Sequence, residues 1–318
     1  MNSVVMTNAV YEPHRSRTGE FAVKGLPGGG ISVDIPDKVV PENPLHVFSY
    51  AATEDAEFRP RIEVVAGVST RLRLIVEHIG LVRRYLRHIE TEIHLKPNAC
   101  VNFIDIYRPG AEARGTSRNV YHLGQHADLD VFSYVAGGAS GDLSIENRAD
   151  LNEPHAFASF KGLAVLDDKA RVRFQTTAHH AAAHGTSRQL YKNILAGESQ
   201  SEFDSLVDVE PGAAKADTKQ LARSLLLSDK ARAQARPILR IRHDDVACVH
   251  GATVGRLEKD ELFYLTSRGL AKDQARLILT VAFAEELLAA LEPGMRRELS
   301  QSVHRQLGRM LQMELIAA

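Results

Sequence analysis

Between about residues 45 and 255 the chain repeats one pattern, short runs in which apolar or β-branched residues alternate with polar ones, each closed by a turn built on Gly, Asn, Asp or Pro. Residues 61–65, 72–76, 99–104, 130–134 and 170–174 are examples. Alternation with period two turns one face of each run inward, so these read as strands. Residues 81–88 are the one stretch of this span with helical periodicity. The turns at 66–68, 97–99, 126–128, 168–170, 211–213 and 229–231 each set a small residue against a strand run. Small residues at corners suit a solenoid, whose coils stack strand on strand and turn on turn. An antiparallel sandwich of short strands gives a similar pattern, and periodicity leaves both open.

Before residue 45, the run Gly25-Leu26-Pro27-Gly28-Gly29-Gly30 precedes one alternating segment, Ile31, Val33 and Ile35, and then Pro36, Pro41 and Pro44. Residues 1–44 are therefore expected to be an irregular segment with one short strand. The glycine run lacks the Gly-Lys-Ser/Thr ending and the following helix of a phosphate loop, so nucleotide binding by this chain is not expected. Past Gly255 the period becomes helical: 257–267 stopped by Gly269, 272–291 stopped by Pro293-Gly294, and then 295–315. The second helix is apolar around much of its circumference, through Leu277, Ile278, Val281, Phe283, Ala284, Leu287 and Leu288, and needs cover. The expected division is an irregular 1–44, a β core over 45–255 and a helical domain over 256–318.

Composition adds exclusions. A chain of 318 residues with 44% hydrophobic side chains can bury a sizeable core. A net charge of -1 gives no general attraction to nucleic acid or anionic membrane. No stretch approaches the length of a membrane span, and the first twenty residues lack the apolar run of a signal peptide, so a cytoplasmic protein is expected. The only cysteines, Cys100 and Cys248, stand in no CxxC spacing and fit a reducing compartment. They are too few to hold a cysteine-ligated cluster within one chain.

In a strand through 246–250, Val246, Cys248 and His250 project to one face and Ala247 and Val249 to the other. That sets a thiol and an imidazole about 7 Å apart along the strand. Imidazole suits iron, and thiolate suits iron-sulfur chemistry. The plainer reading is a small buried cysteine and a structural histidine. His179, His180 and His184 have the spacing that converges on a metal in a helix, but the surrounding pattern places them at a strand and its turn, where structural roles are expected. No Ser-His-Asp or paired-carboxylate arrangement is recognisable, and no catalysis is expected.

The run Asp244-Asp245-Val246-Ala247-Cys248-Val249-His250-Gly251-Ala252-Thr253-Val254-Gly255, followed by Glu261-Leu262-Phe263-Tyr264-Leu265-Thr266-Ser267-Arg268-Gly269, resembles the C-terminal signature of the SufB/SufD family. Asn43-Pro44-Leu45-His46-Val47, Thr186-Ser187-Arg188-Gln189-Leu190-Tyr191-Lys192 and Asp217-Thr218-Lys219-Gln220-Leu221-Ala222-Arg223-Ser224 resemble the same family, in the same order. The resemblance covers about residues 44–291. It implies a mainly β fold, a right-handed parallel β-helix with a C-terminal α-helical domain. It also implies a non-catalytic scaffold subunit of the SufB–SufC–SufD complex in iron-sulfur cluster biogenesis. His250-Gly251-Ala252-Thr253 resembles the SufD form, SufB carrying His-Glu-Ala-Thr, and Ala222 aligns with the position of the essential SufB cysteine. His250, with Cys248 beside it, is then expected at the contact with SufB, contributing to a transient iron-sulfur cluster or iron. Leu262, Phe263, Tyr264, Arg268 and Phe283 are expected to meet the SufC ATPase, which binds the nucleotide. Members of the family usually begin with a helical domain, and here about 45 residues precede the core. Two alternatives stay open, a homodimer acting without SufB and a β-solenoid enzyme using His179, His180 or His184 as base.

Overall fold

A computed structural model describes residues 2–12 and 21–311. From the seventh strand on, successive strands alternate between two sheets. The first sheet runs, in spatial order, β2 (Val10–Tyr11), β1 (Asn2–Thr7), β5 (Leu45–Ala51), β8 (Arg71–Gly80), β10 (Cys100–Arg108), β12 (Asp128–Gly137), β14 (Phe157–Leu166), β16 (Thr186–Leu195), β18 (Asp217–Leu226) and β20 (Ala247–Gly255). The second runs β19 (Arg232–Ile241), β17 (Gln200–Val209), β15 (Arg171–His180), β13 (Asp142–Leu151), β11 (Arg114–Leu123), β9 (Leu86–Leu95), β7 (Arg61–Ala66), β4 (Ile31–Ile35) and β3 (Ala22–Gly25), with β6 (Glu57–Phe58) beside β9. Cys100 pairs with Asp128, Asp128 with Phe157, Phe157 with Thr186, Thr186 with Asp217 and Asp217 with Ala247, all in parallel, so one coil takes 28 to 31 residues. This long repeat makes the molecule a β-solenoid and removes the antiparallel sandwich.

Inside the solenoid, alternate residues of both sheets interdigitate, among them Phe103, Phe160, Phe174 and Phe203. The packing leaves no slack: a Cβ added at Gly162 would lie 2.3 Å from the ring of fully buried Tyr191. One corner is built identically in six coils. Ser69, Asn98, His126, His155, His184 and Lys215 take left-handed backbone with φ between 55 and 62°. Each donates its N–H to a carbonyl of the next coil, at 2.6 to 3.2 Å. Those bonds offset the cost of left-handed backbone at non-glycine residues. The small residue after several of these positions, Ala99 and Ala127 for example, is buried in the corner as the sequence requires.

Among the described residues of 1–44, the one expected short strand is β4, and β1, β2 and β3 correct the expectation that the rest is irregular. β1 pairs in parallel with β5, and β4 with β7, so this segment supplies strands of the first coil. Two short antiparallel hairpins, β1–β2 and β3–β4, finish that end. The glycines and prolines mark its turns, but the partners lie tens of residues downstream, beyond a local reading. Residues 81–88 form a turn and the start of β9 in place of a helix.

Three helices follow the last coil: α1 (Lys259–Ser267), α2 (Lys272–Leu288) and α3 (Pro293–Met310). Residues 312–315 of the expected third helix lie outside the described residues. Ala284, Leu287 and Leu288 of α2 and Met295, Leu299, Val303 and Leu307 of α3 cover the outer face of the first sheet, meeting Ile104, Ile106, Phe132, Leu163, Val165 and Ile194. Polar ties fix the register. Arg108 donates to Glu298 at 2.7 Å, and the Tyr134 hydroxyl to Ser302 at 3.0 Å. Lys192, fully buried on β16, donates to the Phe283 carbonyl at 2.8 Å and to Glu286, with its ammonium 4.3 Å from the centre of the Phe283 ring. Lys192→Met should therefore cost about 1.5–3 kcal/mol, the range for hydrogen bonds to a charged group. Urea denaturation and amide exchange over 272–288 read the loss, and unchanged protection there would mean that apolar contacts alone hold α2.

Candidate functional site at the open end of the solenoid

The last strand of each sheet, β19 and β20, pairs on one side only, with β17 and β18, leaving two rows of backbone N–H and C=O groups unpaired by strand. Such edges are templates for another chain unless they are blunted. Pro237 lies inside β19, which a central strand does not tolerate. Its presence in an apolar run is the sequence signal that would have located this edge. Along the two edges Ile238 and Val249 are more than half exposed, and Ile241 and Val254 are exposed too. Arg236, Arg240 and Arg242 are tied back to Asp204 and Asp208 of the coil beneath, which holds β19 in place.

Cys248 pairs in register with Thr218, His250 with Gln220 and Ala252 with Ala222. All three β18 residues are buried inside the coil. Paired residues of a parallel ladder point the same way, so Cys248 and His250 face the mouth of the solenoid lumen. The thiol is half-buried and the imidazole exposed. Among the described residues the His250 side chain makes no hydrogen bond or ion pair. Below it, Ser205 bridges Gln189 and Gln220, yet Gln220 Oε1 and Thr218 Oγ1 have no partner. Buried polar atoms are rarely left so, and these two lie directly under the unpaired strand. The geometry thus offers one nitrogen and one sulfur donor on an incomplete lumen floor. Two donors fall short of the ligand set of an iron-sulfur cluster, so one held here needs ligands from a second chain.

Of the five side chains read as a docking face, Leu262, Phe263, Tyr264 and Arg268 lie on or just after α1, a helix with no buried residue. Phe263 is 73% and Tyr264 58% exposed, and Arg268 stacks over the Tyr264 ring at 5.2 Å. Phe283 is placed differently: half-buried, it packs on the solenoid beneath Lys192.

His179, His180 and His184 do not converge. His180 is fully buried and hydrogen-bonded to Ser187 at 2.9 Å, and its burial draws its pKa down to about 4. His179 faces outward beside Asp208 and Glu210, carboxylates already paired with Arg240 and Arg242. His184 stacks on His155, and His155 on His126, along the left-handed corner. A further group, Glu92, His94 and His122, brings its donor atoms within 4.8 Å of one another on the outer face of β9 and β11. Adjacent coils put those residues in line, which sequence spacing does not reveal.

Among the described residues no helix is long and apolar enough to cross a membrane. The family model for the "SUF system FeS cluster assembly, SufBD core domain" matches residues 48–283. The chain is 27% identical over 260 residues to the iron-sulfur cluster assembly protein SufD of Escherichia coli, covering 80% of this chain and 60% of that protein. Over 268 residues it is 44% identical to the chloroplastic protein ABCI7 of Arabidopsis thaliana, covering 80% of this chain and 55% of that protein. It is 26% identical over 294 residues to SufD of Bacillus subtilis, covering 88% of this chain and 64% of that protein. The chain therefore spans about 60% of the length of the relatives it matches.

Proposed function

The chain belongs to the SufB/SufD family of the SUF iron-sulfur cluster assembly system, and from that premise we propose that it is a non-catalytic scaffold subunit whose open solenoid end completes itself against SufB. The observation that carries this reading is the pair of unpaired edge strands, β19 and β20, with exposed apolar side chains along them. A second solenoid end adds backbone hydrogen bonds to both rows at once and removes Ile238 and Val249 from water. In that arrangement the His250 imidazole and the Cys248 thiol line a seam between two chains, and the partner supplies the remaining ligands to iron or a nascent cluster. Iron is cargo here, held during assembly and passed on.

The exposed α1 face, with Leu262, Phe263, Tyr264 and Arg268, is the proposed docking surface for the SufC ATPase. α2 and α3 lie against the solenoid, so movement of α1 by a docked ATPase has a firm base from which to act on the adjoining strand β20. Nucleotide-driven association of two SufC subunits would shift the seam by binding one arrangement better than the other. A cytoplasmic setting follows from the same reading.

His250→Ala, on an exposed side chain, should leave the complex with SufB and SufC intact and lower its iron content by about tenfold or more, the scale on which metal sites respond to altered ligation. Iron analysis of the purified complex, alongside native mass spectrometry, measures both. Full iron content in the variant removes His250 from the seam chemistry.

A further inference from the structure

In the half of the solenoid away from the seam, β9 turns an arginine inward. Arg87 is 5% exposed, at a position whose neighbours on the same face are Ile89 and Thr91. A buried cation is normally paired with a carboxylate, because removing it from water costs several kcal/mol. Among the described residues no carboxylate lies within 4.0 Å of Arg87, and its Nε has no hydrogen-bond partner. Its one directed contact is the Tyr85 ring, 5.3 Å from the guanidinium carbon. Asp105, a buried carboxylate of the neighbouring strand β10, is taken by the Tyr107 hydroxyl and stands 3.1 Å from His78.

Arg87 lines a cavity of about 30 Å³ whose walls include Ile89, Val135, Leu143 and Leu166. Arg114, Asp142 and Arg171 border it too, but they share the register of exposed Leu86 and turn to solvent, so Arg87 is the charged side chain of its interior. The balance of charge favours an anion. Size narrows the choice: one water needs about 10–15 Å³ by this measure, so the cavity admits one or two non-hydrogen atoms and excludes phosphate or sulfate. Apolar walls favour an anion that sheds water readily, and guanidinium is itself a weakly hydrated cation.

We propose that Arg87 and this cavity bind a single small, weakly hydrated monovalent anion of the halide and hydrosulfide class. The site is separate from the seam at β19 and β20 and does not depend on the scaffold reading.

Thermal unfolding of the full chain and of Arg87→Met tests it, with sodium gluconate replaced stepwise by sodium bromide at constant ionic strength. A ligand that binds only the folded state raises the midpoint saturably. The wild type should show that rise and the variant a flat response, starting at or above the wild-type midpoint in gluconate because an unpaired buried charge has gone. Equal rises in both proteins, or none in either, overturn the proposal. Should the variant not fold, wild-type crystals grown in bromide decide. An anomalous peak within hydrogen-bonding distance of the Arg87 guanidinium supports the site, and water alone in the cavity overturns it. Sodium hydrosulfide in place of bromide then separates the two sources: a larger rise assigns the site to sulfide, an equal one to halide.

Discussion

Replacing Ile238 and Val249 together by lysine should weaken association with SufB by about 100-fold or more, about 2.8 kcal/mol, while the chain itself unfolds at its usual temperature. Both side chains are more than half exposed, so their loss removes little from the interior, and exposed substitutions of this kind usually change stability by less than about 0.5 kcal/mol. In the joined state they sit in the middle of the proposed contact, where an apolar anchor matters most and a buried, unpaired ammonium is costly. Lysine on an edge strand is also the device by which sheet proteins keep edges from pairing. Titration calorimetry against SufB, with the double variant's melting curve as control, gives both quantities. Unaltered affinity would move the contact elsewhere, with α1 the next surface to test.

Acid should destabilise the isolated chain steeply, and most of one proton's share traces to His180. Burial first, then the nearby His179 and Arg188, holds its pKa near 4 in the folded chain, against about 6.5 unfolded. The unfolded chain therefore takes up this proton first as pH falls. The full contribution is present above pH 6.5, declines by about 1.4 kcal/mol per pH unit below it, and is lost by pH 4, a total of about 3 kcal/mol. His78 adds in the same direction, because its burial outweighs the neighbouring Asp105. His180→Asn can keep a hydrogen bond to Ser187 without titrating. Urea midpoints for the two proteins should converge toward pH 4, and parallel curves between pH 7 and 4 would deny His180 this part.

Much of the solenoid was legible because burial inside a narrow coil imposes strict alternation, as at Phe174, Thr176 and Ala178 on β15. The change to helices near Gly255 was legible for the matching reason, a change of period. What escaped was pairing across coils. β4 was legible as the short alternating strand at Ile31, Val33 and Ile35, but β1 and β3 looked like punctuated coil because each is short and its place in the coils depends on pairing with other strands. The start of β9 looked helical because Arg87 breaks the inward apolar series. At the candidate site, alternation alone put Cys248 and His250 on one face. Their openness was not legible, since it depends on no further strand lying over β20. At Phe283 the sequence announced an apolar helix that needs cover, but not that Lys192 and the first sheet provide part of it.

The two ends of the solenoid are unlike. One finishes in the hairpins β1–β2 and β3–β4, whose outermost strands are two and four residues long and turn back on their neighbours. The other stops on full-length strands. In the proposed assembly, a molecule sticky at one tip and blunt at the described opposite one couples once, so growth halts at a pair and runaway fibres are avoided. Lengthening the blunt hairpins into flush strands would remove that brake.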